Sequence, residues 1–161
     1  MNPVPFILLA ISLPLLLGGC GEKEVDSSQL VERNDIKYLV NSETPYTGKQ
    51  IEFHENGQKQ WEENYKDGKP DGLVVEWYTN GQKKVEGNYK DGKEGLHVSW
   101  HPNGQKQAEV NYKDGKIDGL SVWWDVNGQK EGEVNYKDGK KVEGSEKFWS
   151  YKGEPVDSEE E

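Results

Sequence analysis

Gly72 to Lys93 reads GLVVEWYTNGQKKVEGNYKDGK. Leu73, Val75 and Trp77 alternate with Val74, Glu76 and Tyr78, and after Asn80-Gly81 the alternation resumes at Val85, Gly87 and Tyr89. Apolar character with period two is the mark of a half-buried strand, and Asn-Gly and Asp-Gly are turn dipeptides that tolerate positive φ. The stretch therefore predicts a β-hairpin followed by a second turn at Asp91-Gly92. The same frame recurs: Asn-Gly-Gln-Lys begins at Asn56, Asn80, Asn103 and Asn127, and Tyr-Lys-Asp-Gly-Lys at Tyr65, Tyr89, Tyr112 and Tyr136. Both markers step by 24, 23 and 24 residues. A fixed period of that size defines a repeat array, and a turn signal about every twelve residues leaves no room for helices. The expected fold is all-β: an elongated, twisted, single antiparallel sheet of stacked hairpins.

Counting from the glycine that opens each unit, the columns Phe53, Trp77, Trp100, Trp124, Trp149 and Tyr65, Tyr89, Tyr112, Tyr136 recur in phase. Pairing Trp77 with Val85, Val75 with Gly87 and Leu73 with Tyr89 would place indoles and phenols on one face. It needs a three-residue loop or an Asn-Gly turn with a one-residue bulge. In that register Phe53 faces Trp61 and Trp124 faces Gly132, while Glu62, Glu86, Glu109 and Glu133 project from the other face, with Glu52 opposite Glu62 and Glu76 opposite Glu86. Trp123 and Phe148 then form an exposed apolar spot on that outer face. The residue missing from the 23-residue step, between Lys93 and Gly95, is expected in a loop. Ile36 to Val40 reads as a strand capping the N-terminal edge, and Ser145 to Tyr151 as a degenerate last strand.

Composition narrows the function. The chain of 161 residues is 32% hydrophobic and 31% charged, with six Trp and eight Tyr, and its mean hydropathy is −1.02. A formal charge of −10 argues against a nucleic-acid partner, which needs a surplus of Lys and Arg on one face. The single cysteine, Cys20, excludes an intramolecular disulfide. No cofactor or metal is expected. His54 and His101 fall in one column but two units, roughly 19 Å, apart, and His97 and His101 are roughly 13 Å apart, too far to share an ion. Facing glutamates read as a solvated face, because the repeat pattern implies no concave pocket in which a catalytic carboxyl would be tuned. No nucleophile and base come together, so the protein is expected not to be an enzyme.

Cys20 closes an apolar run, Pro5 to Gly19, that is too short and too Pro-interrupted for a membrane span and suits a secretory signal. Leu17-Gly18-Gly19-Cys20 resembles the bacterial lipoprotein lipobox. The resemblance implies cleavage after Gly19, acylation of Cys20 and, with Gly21 next, a place in the cell envelope, at the outer membrane if the cell has one. The domain reading is a signal peptide over 1–19, an acidic flexible tether over 20–34, a repeat array over 35–153 and an acidic disordered tail over 154–161. An ordinary secretory signal is the alternative.

The pattern GLxVxWYxNGQKxxEGNYKDGK, with its entry Pro45-Tyr46-Thr47-Gly48-Lys49, resembles bacterial MORN-type repeats, particularly the variant in YwqK-type antitoxin components. The resemblance covers about Asp35 to Gly153. It implies a non-enzymatic scaffold that binds another protein, with a cognate toxin as one partner. The aromatic strip of Phe53, Trp77, Trp100, Trp124, Trp149, Tyr65, Tyr89, Tyr112 and Tyr136 is the expected docking surface. A structural spacer or assembly lipoprotein is the other reading.

Overall fold

A computed structural model describes residues 23–156. The signal peptide, Cys20 and residues 157–161 of the tail lie outside the described residues. In chain order the elements are β1 (Glu24–Val25), a 3-10 turn (Ser27–Gln29), β2 (Leu30–Arg33), β3 (Ile36–Leu39), β4 (Gly48–Phe53), β5 (Lys59–Lys66), β6 (Lys69–Trp77), β7 (Lys83–Lys90) and β8 (Lys93–Trp100). There follow β9 (Lys106–Lys113), β10 (Lys116–Ile117), β11 (Gly119–Trp124), β12 (Lys130–Lys137), β13 (Lys140–Lys141), β14 (Lys147–Trp149) and β15 (Pro155–Val156). From β4 to β15 the strands pair antiparallel in the order β4-β5-β6-β7-β8-β9-β11-β12-β14-β15 in one open sheet, the short β10 and β13 pairing back with β9 and β12, with β1 added parallel to β4 at the N-terminal edge and β2–β3 forming a separate hairpin.

The two turn motifs make different turns. Asp91-Gly92, with φ of 49° and 79°, joins Lys90 to its partner Lys93 directly, a two-residue type I′ turn whose twist suits the strands it connects. The Asn-Gly connection is longer. Tyr78 N–H donates to Gln82 C=O and Gly81 N–H to Tyr78 C=O, closing a three-residue loop with Gly81 at φ 81°, while Asn80 Oδ1 accepts from Gln82 N–H. Beyond it Trp77 pairs with Lys83, but Glu76 pairs with Val85, so a bulge follows the loop at once. The same break recurs at Phe53/Lys59, Trp100/Lys106 and Trp124/Lys130.

Loop and bulge occur together, which corrects the expected register. The loop alone would leave Trp77 and Val75 on the face of Val85 and Gly87; the extra residue shifts the pairing by one, and a one-residue shift moves every side chain to the opposite face. Val75 lies opposite Glu86, and Val74 opposite Gly87. The tryptophan column therefore shares a face with Glu62, Glu86, Glu109 and Glu133, and the tyrosine column lies on the other side. Glu62 faces Ile51 and Val75, not Glu52, and Glu86 faces Val75 and Val98, not Glu76. Phe53 pairs with Lys59, and it is Trp123, not Trp124, that faces Gly132.

With no second layer among the described residues, each face buries a thin stripe. Val74 and its neighbour Val75 point to opposite sides, yet both are buried, as are Val98 and Val122 on the tryptophan face and Val134 on the tyrosine face. Long side chains lying across the sheet supply the cover. Trp123 and Phe148 are half-buried rather than an exposed spot: their rings meet at 6.2 Å and pair from either side with Gly132, where a Cβ would come within 2.3 Å of the Trp123 ring.

The missing residue is also placed differently. Between β5 and β6 the register slides by two residues, between Glu63/Tyr65 and Val74/Pro70; between β7 and β8 it slides by one, between Gly87/Tyr89 and His97/Glu94. The deletion is absorbed by a smaller bulge inside β8. It removes the aspartate that elsewhere braces the next turn: Asp71 accepts from Asp91 N–H and Asp118 from Asp138 N–H, as Thr47 does from Asp67 N–H. In the short unit Lys93 reaches Asp114 instead, at 2.7 Å.

Residues 24–33, expected within a flexible tether, form β1, the 3-10 turn and β2. Val25, Tyr46 and Tyr65 make a small buried cluster, with Leu30 and Leu39 packed on it, so the β2–β3 hairpin covers the tyrosine face of the first unit. At the other end Ser150 N–H donates to Glu154 C=O and Gly153 N–H to Ser150 C=O, repeating the Asn-Gly loop geometry, and β15 closes the sheet with residues 155–156 of the expected tail. Pro155 occupies that edge and lacks the N–H another strand would need.

Gly132→Ala should destabilise the protein by about 1–3 kcal/mol through overpacking against Trp123, read as a lower urea midpoint. Trp123→Val in the same chain should recover part of the loss.

Candidate functional site

On the tryptophan face the lysine of each Asn-Gly-Gln-Lys motif stands at the bulge and reaches toward the following unit. Lys59 Nζ lies 5.2 Å from the Trp77 ring centre, Lys83 5.7 Å from Trp100, Lys106 5.3 Å from Trp124 and Lys130 4.9 Å from Trp149. The same nitrogens bind Glu62, Glu86, Glu109 and Glu133 of their own units. Each lysine thus joins a carboxylate in one hairpin to an indole in the next. Lys49 adds a second cation to Glu62 at 2.8 Å, and Lys147 a second to Glu133 at 3.0 Å.

This ladder was missed from sequence, although the motif lysines preceding each tryptophan by 17 to 19 residues carried the signal. Its physical effect is modest per rung, about 0.5–1 kcal/mol for an exposed cation over an indole, but it covers the indoles expected to lie open. What remains open on this face is a different column. Leu73, Leu96 and Leu120 are 39–40% exposed; in the tryptophan column itself Phe53, with no preceding repeat among the described residues to send a lysine over it, is 60% exposed.

The histidines bind one unit to the next. His54 donates to Trp77 C=O and His101 to Trp124 C=O, both at 2.9 Å, and in the intervening unit the Tyr78 hydroxyl does the same to Trp100 C=O at 2.7 Å. Asn56 and Asn80 side chains donate onward to Thr79 and Pro102 carbonyls. His97 pairs with Glu94 at 2.7 Å. Among the described residues no group of three or more His, Cys, Asp or Glu is arranged to hold a metal ion.

The tyrosine face differs in charge. Tyr65 is buried against Tyr46; burial, then the neighbouring Glu63, pushes its phenol far up. Burial followed by Glu94 pushes Tyr89 up to about 12. Glu52, Glu63, Glu76 and Glu94 share this face, and around Trp61 the first three line an open depression of about 440 Å³ with Lys37, Gln50, Gln60 and Tyr65. Of the nine aromatic residues expected to form one docking strip, Phe53 and the four tryptophans lie on one side, and the four tyrosines on the other.

These features define a class: an open, single-layer sheet of hairpin repeats held together by contacts between adjacent units. Residues 46–67, 70–91, 93–114 and 117–138 each match the family model described as MORN repeat variant. The four matches cover more than half of the chain, which belongs to this family. No curated protein matches it.

Two pH dependences follow. Burial alone would raise the Glu62 carboxyl, but hydrogen bonds from Lys49 and Lys59 outweigh it, and Lys130 and Lys147 likewise hold Glu133 below the ordinary 4.5. A depressed folded-state value means that this stabilisation is present above about pH 4.5 and is lost as pH falls. The urea midpoint should drop between pH 6 and 3, and less so in Glu62→Gln/Glu133→Gln. The raised tyrosines act at the other end: unfolded phenols ionise near pH 10 while Tyr65 and Tyr89 stay protonated in the fold, so stability should decline above about pH 10. Absorbance at 295 nm should show a late-ionising phenol fraction that vanishes in urea.

Proposed function

We propose that this protein is a non-enzymatic scaffold that binds another protein across the leucine column of its tryptophan face, held at a bacterial membrane by acylated Cys20. The observation that carries the docking reading is the row Leu73, Leu96, Leu120, with Phe53 exposed at the end of the neighbouring tryptophan column, open on a sheet that has no covering layer on this face among the described residues. Side chains in one column two strands apart repeat about every 9.5 Å, with Asn88, Asn111 and Asn135 opposite the leucines on the strands between, so the row is a regular line of exposed leucines set among polar groups and rimmed by the lysine and glutamate ladder; exposed apolar groups within a polar rim mark interaction sites. The repeat supports it as well, since a rigid array presents equivalent positions at a regular spacing. The lipobox-like Leu17-Gly18-Gly19-Cys20 supports the anchor and an envelope location. An antitoxin- or immunity-like role is the narrower form of this proposal and rests on the resemblance of the repeat sequence.

Purified from envelopes in mild detergent, the full-length protein is expected to bring down one partner in stoichiometric amount. Leu96→Asp, at the centre of the strip, should weaken that complex by about 2 kcal/mol, roughly thirtyfold, with the strand circular-dichroism signal retained. Leucine is a cleaner probe than tryptophan, because Trp100→Ala would also strip Lys83 of its ring. If nothing co-purifies, or Leu96→Asp binds as the parent does, the docking reading fails and the spacer reading gains. Cys20→Ser should leave the protein unacylated and release it from the membrane fraction; retention would defeat the anchor.

A further inference from the structure

We infer that the depression around Trp61 on the tyrosine face is a second docking site, which takes a lysine or arginine side chain of a basic, extended segment of a partner protein. The molecule supplies the precedent itself. Four times on the tryptophan face an ammonium stands 4.9–5.7 Å from an indole centre while bound to a carboxylate. Trp61 has the indole and the carboxylates of that arrangement, and among the described residues no lysine or arginine lies over its ring. Glu52 and Glu76 flank it across the two neighbouring strands, and its Nε1–H donates to Glu63 at 3.2 Å.

Among the described residues two of the three carboxylates around the ring, Glu52 and Glu63, are paired with no lysine or arginine. Glu52 accepts from the Ser27 N–H at 2.6 Å and from Gln50 at 3.3 Å, and Glu63 from Trp61; these donors are neutral. Glu76 is paired with Lys84, and Lys37, on the rim, with Glu32, both at 2.8 Å. On the opposite face, by contrast, each column glutamate is bound by a lysine of its own unit. An indole face attracts a cation through its quadrupole, and a nearby carboxylate adds charge-assisted hydrogen bonds.

The site is also set apart within the repeat. The column that holds Trp61 continues as Val85, Ala108 and Gly132; at Gly132 the place is filled by the Trp123 ring of the neighbouring strand, which meets Phe148, and among the described residues only the first unit has the β2–β3 hairpin as a wall. The depression is wide and open, which gives a free small cation too little enclosure; a cation carried on a peptide gains the remainder of its affinity outside the hole. This site is separate from the leucine strip, so either can fail without the other.

The test uses the full-length protein in detergent and a fluorescein-labelled tetra-arginine peptide, with a tetra-glutamate peptide as control, read by fluorescence anisotropy. Trp61→Val, which installs the residue of the next unit, and Glu52→Gln/Glu63→Gln are each expected to weaken tetra-arginine binding about tenfold. Glu109→Gln on the other face should leave it unchanged, and the Trp61 indole N–H resonance should be the one that moves on titration. Equal binding by wild type and Glu52→Gln/Glu63→Gln overturns the inference, even if Trp61→Val fails to fold. So does an equal loss in Glu109→Gln, which would mean only that a basic peptide adheres to an acidic protein.

Discussion

Where Trp77 pairs with Lys83 and Glu76 with Val85, Lys84 has no opposite number. That single unpaired residue, repeated after every Asn-Gly loop, is what the rest of the structure depends on. It turns the second strand of each hairpin over, so that Glu86 rather than Val85 shares a face with Val75 and Trp77. It also places Lys83 at the bend, with a reach that spans from its own Glu86 to Trp100 of the next hairpin. Without the bulge the aromatic residues would collect on one side and the carboxylates on the other. With it, both faces are mixed, and neither presents the large continuous apolar area that would drive sheets to stack on each other.

A sheet one layer thick cannot bury side chains between layers, so it must bury them beneath its own surface groups. Valines fill the centre of each face because they are short enough to be roofed by neighbours. The roof is made of indoles, phenols and lysine stems, whose polar ends remain in water. Contacts of this kind, together with those from His54, Tyr78 and His101 to backbone carbonyls of the following unit, run only between adjacent hairpins. Stability is therefore distributed along the array as nearest-neighbour couplings.

The two ends solve the edge problem differently. At the first unit a parallel strand, Glu24–Val25, pairs with β4, and a hairpin folds down over Tyr65, converting the tyrosine face there into a walled hollow. At the last unit the loop geometry is used once more, but the position that carries a bulge lysine in the other units is Pro155. The array thus loses at one residue both a strand donor and the cation that would cover a further indole. The local differences between units, Trp61 in the first and the shortened bulge in the third, are where the otherwise uniform surface acquires distinct chemistry.

Much of this was legible in the chain. The phase of Asn-Gly-Gln-Lys and Tyr-Lys-Asp-Gly-Lys determined the repeat, the period-two pattern determined strands, and the dipeptides Asn80-Gly81 and Asp91-Gly92 determined where the strands turn, because these are properties of neighbouring residues. Which face each column occupies was decided only by the tertiary structure. A bulge costs no recognisable residue: Lys83-Lys84 looks the same whether or not one of them is left unpaired, and parity across a hairpin depends on the sum of loop and bulge. The candidate sites follow that parity, which is why the indoles proved to be roofed by lysines and Trp61 to be surrounded by Glu52, Glu63 and Glu76, residues from three separate strands that only pairing brings together.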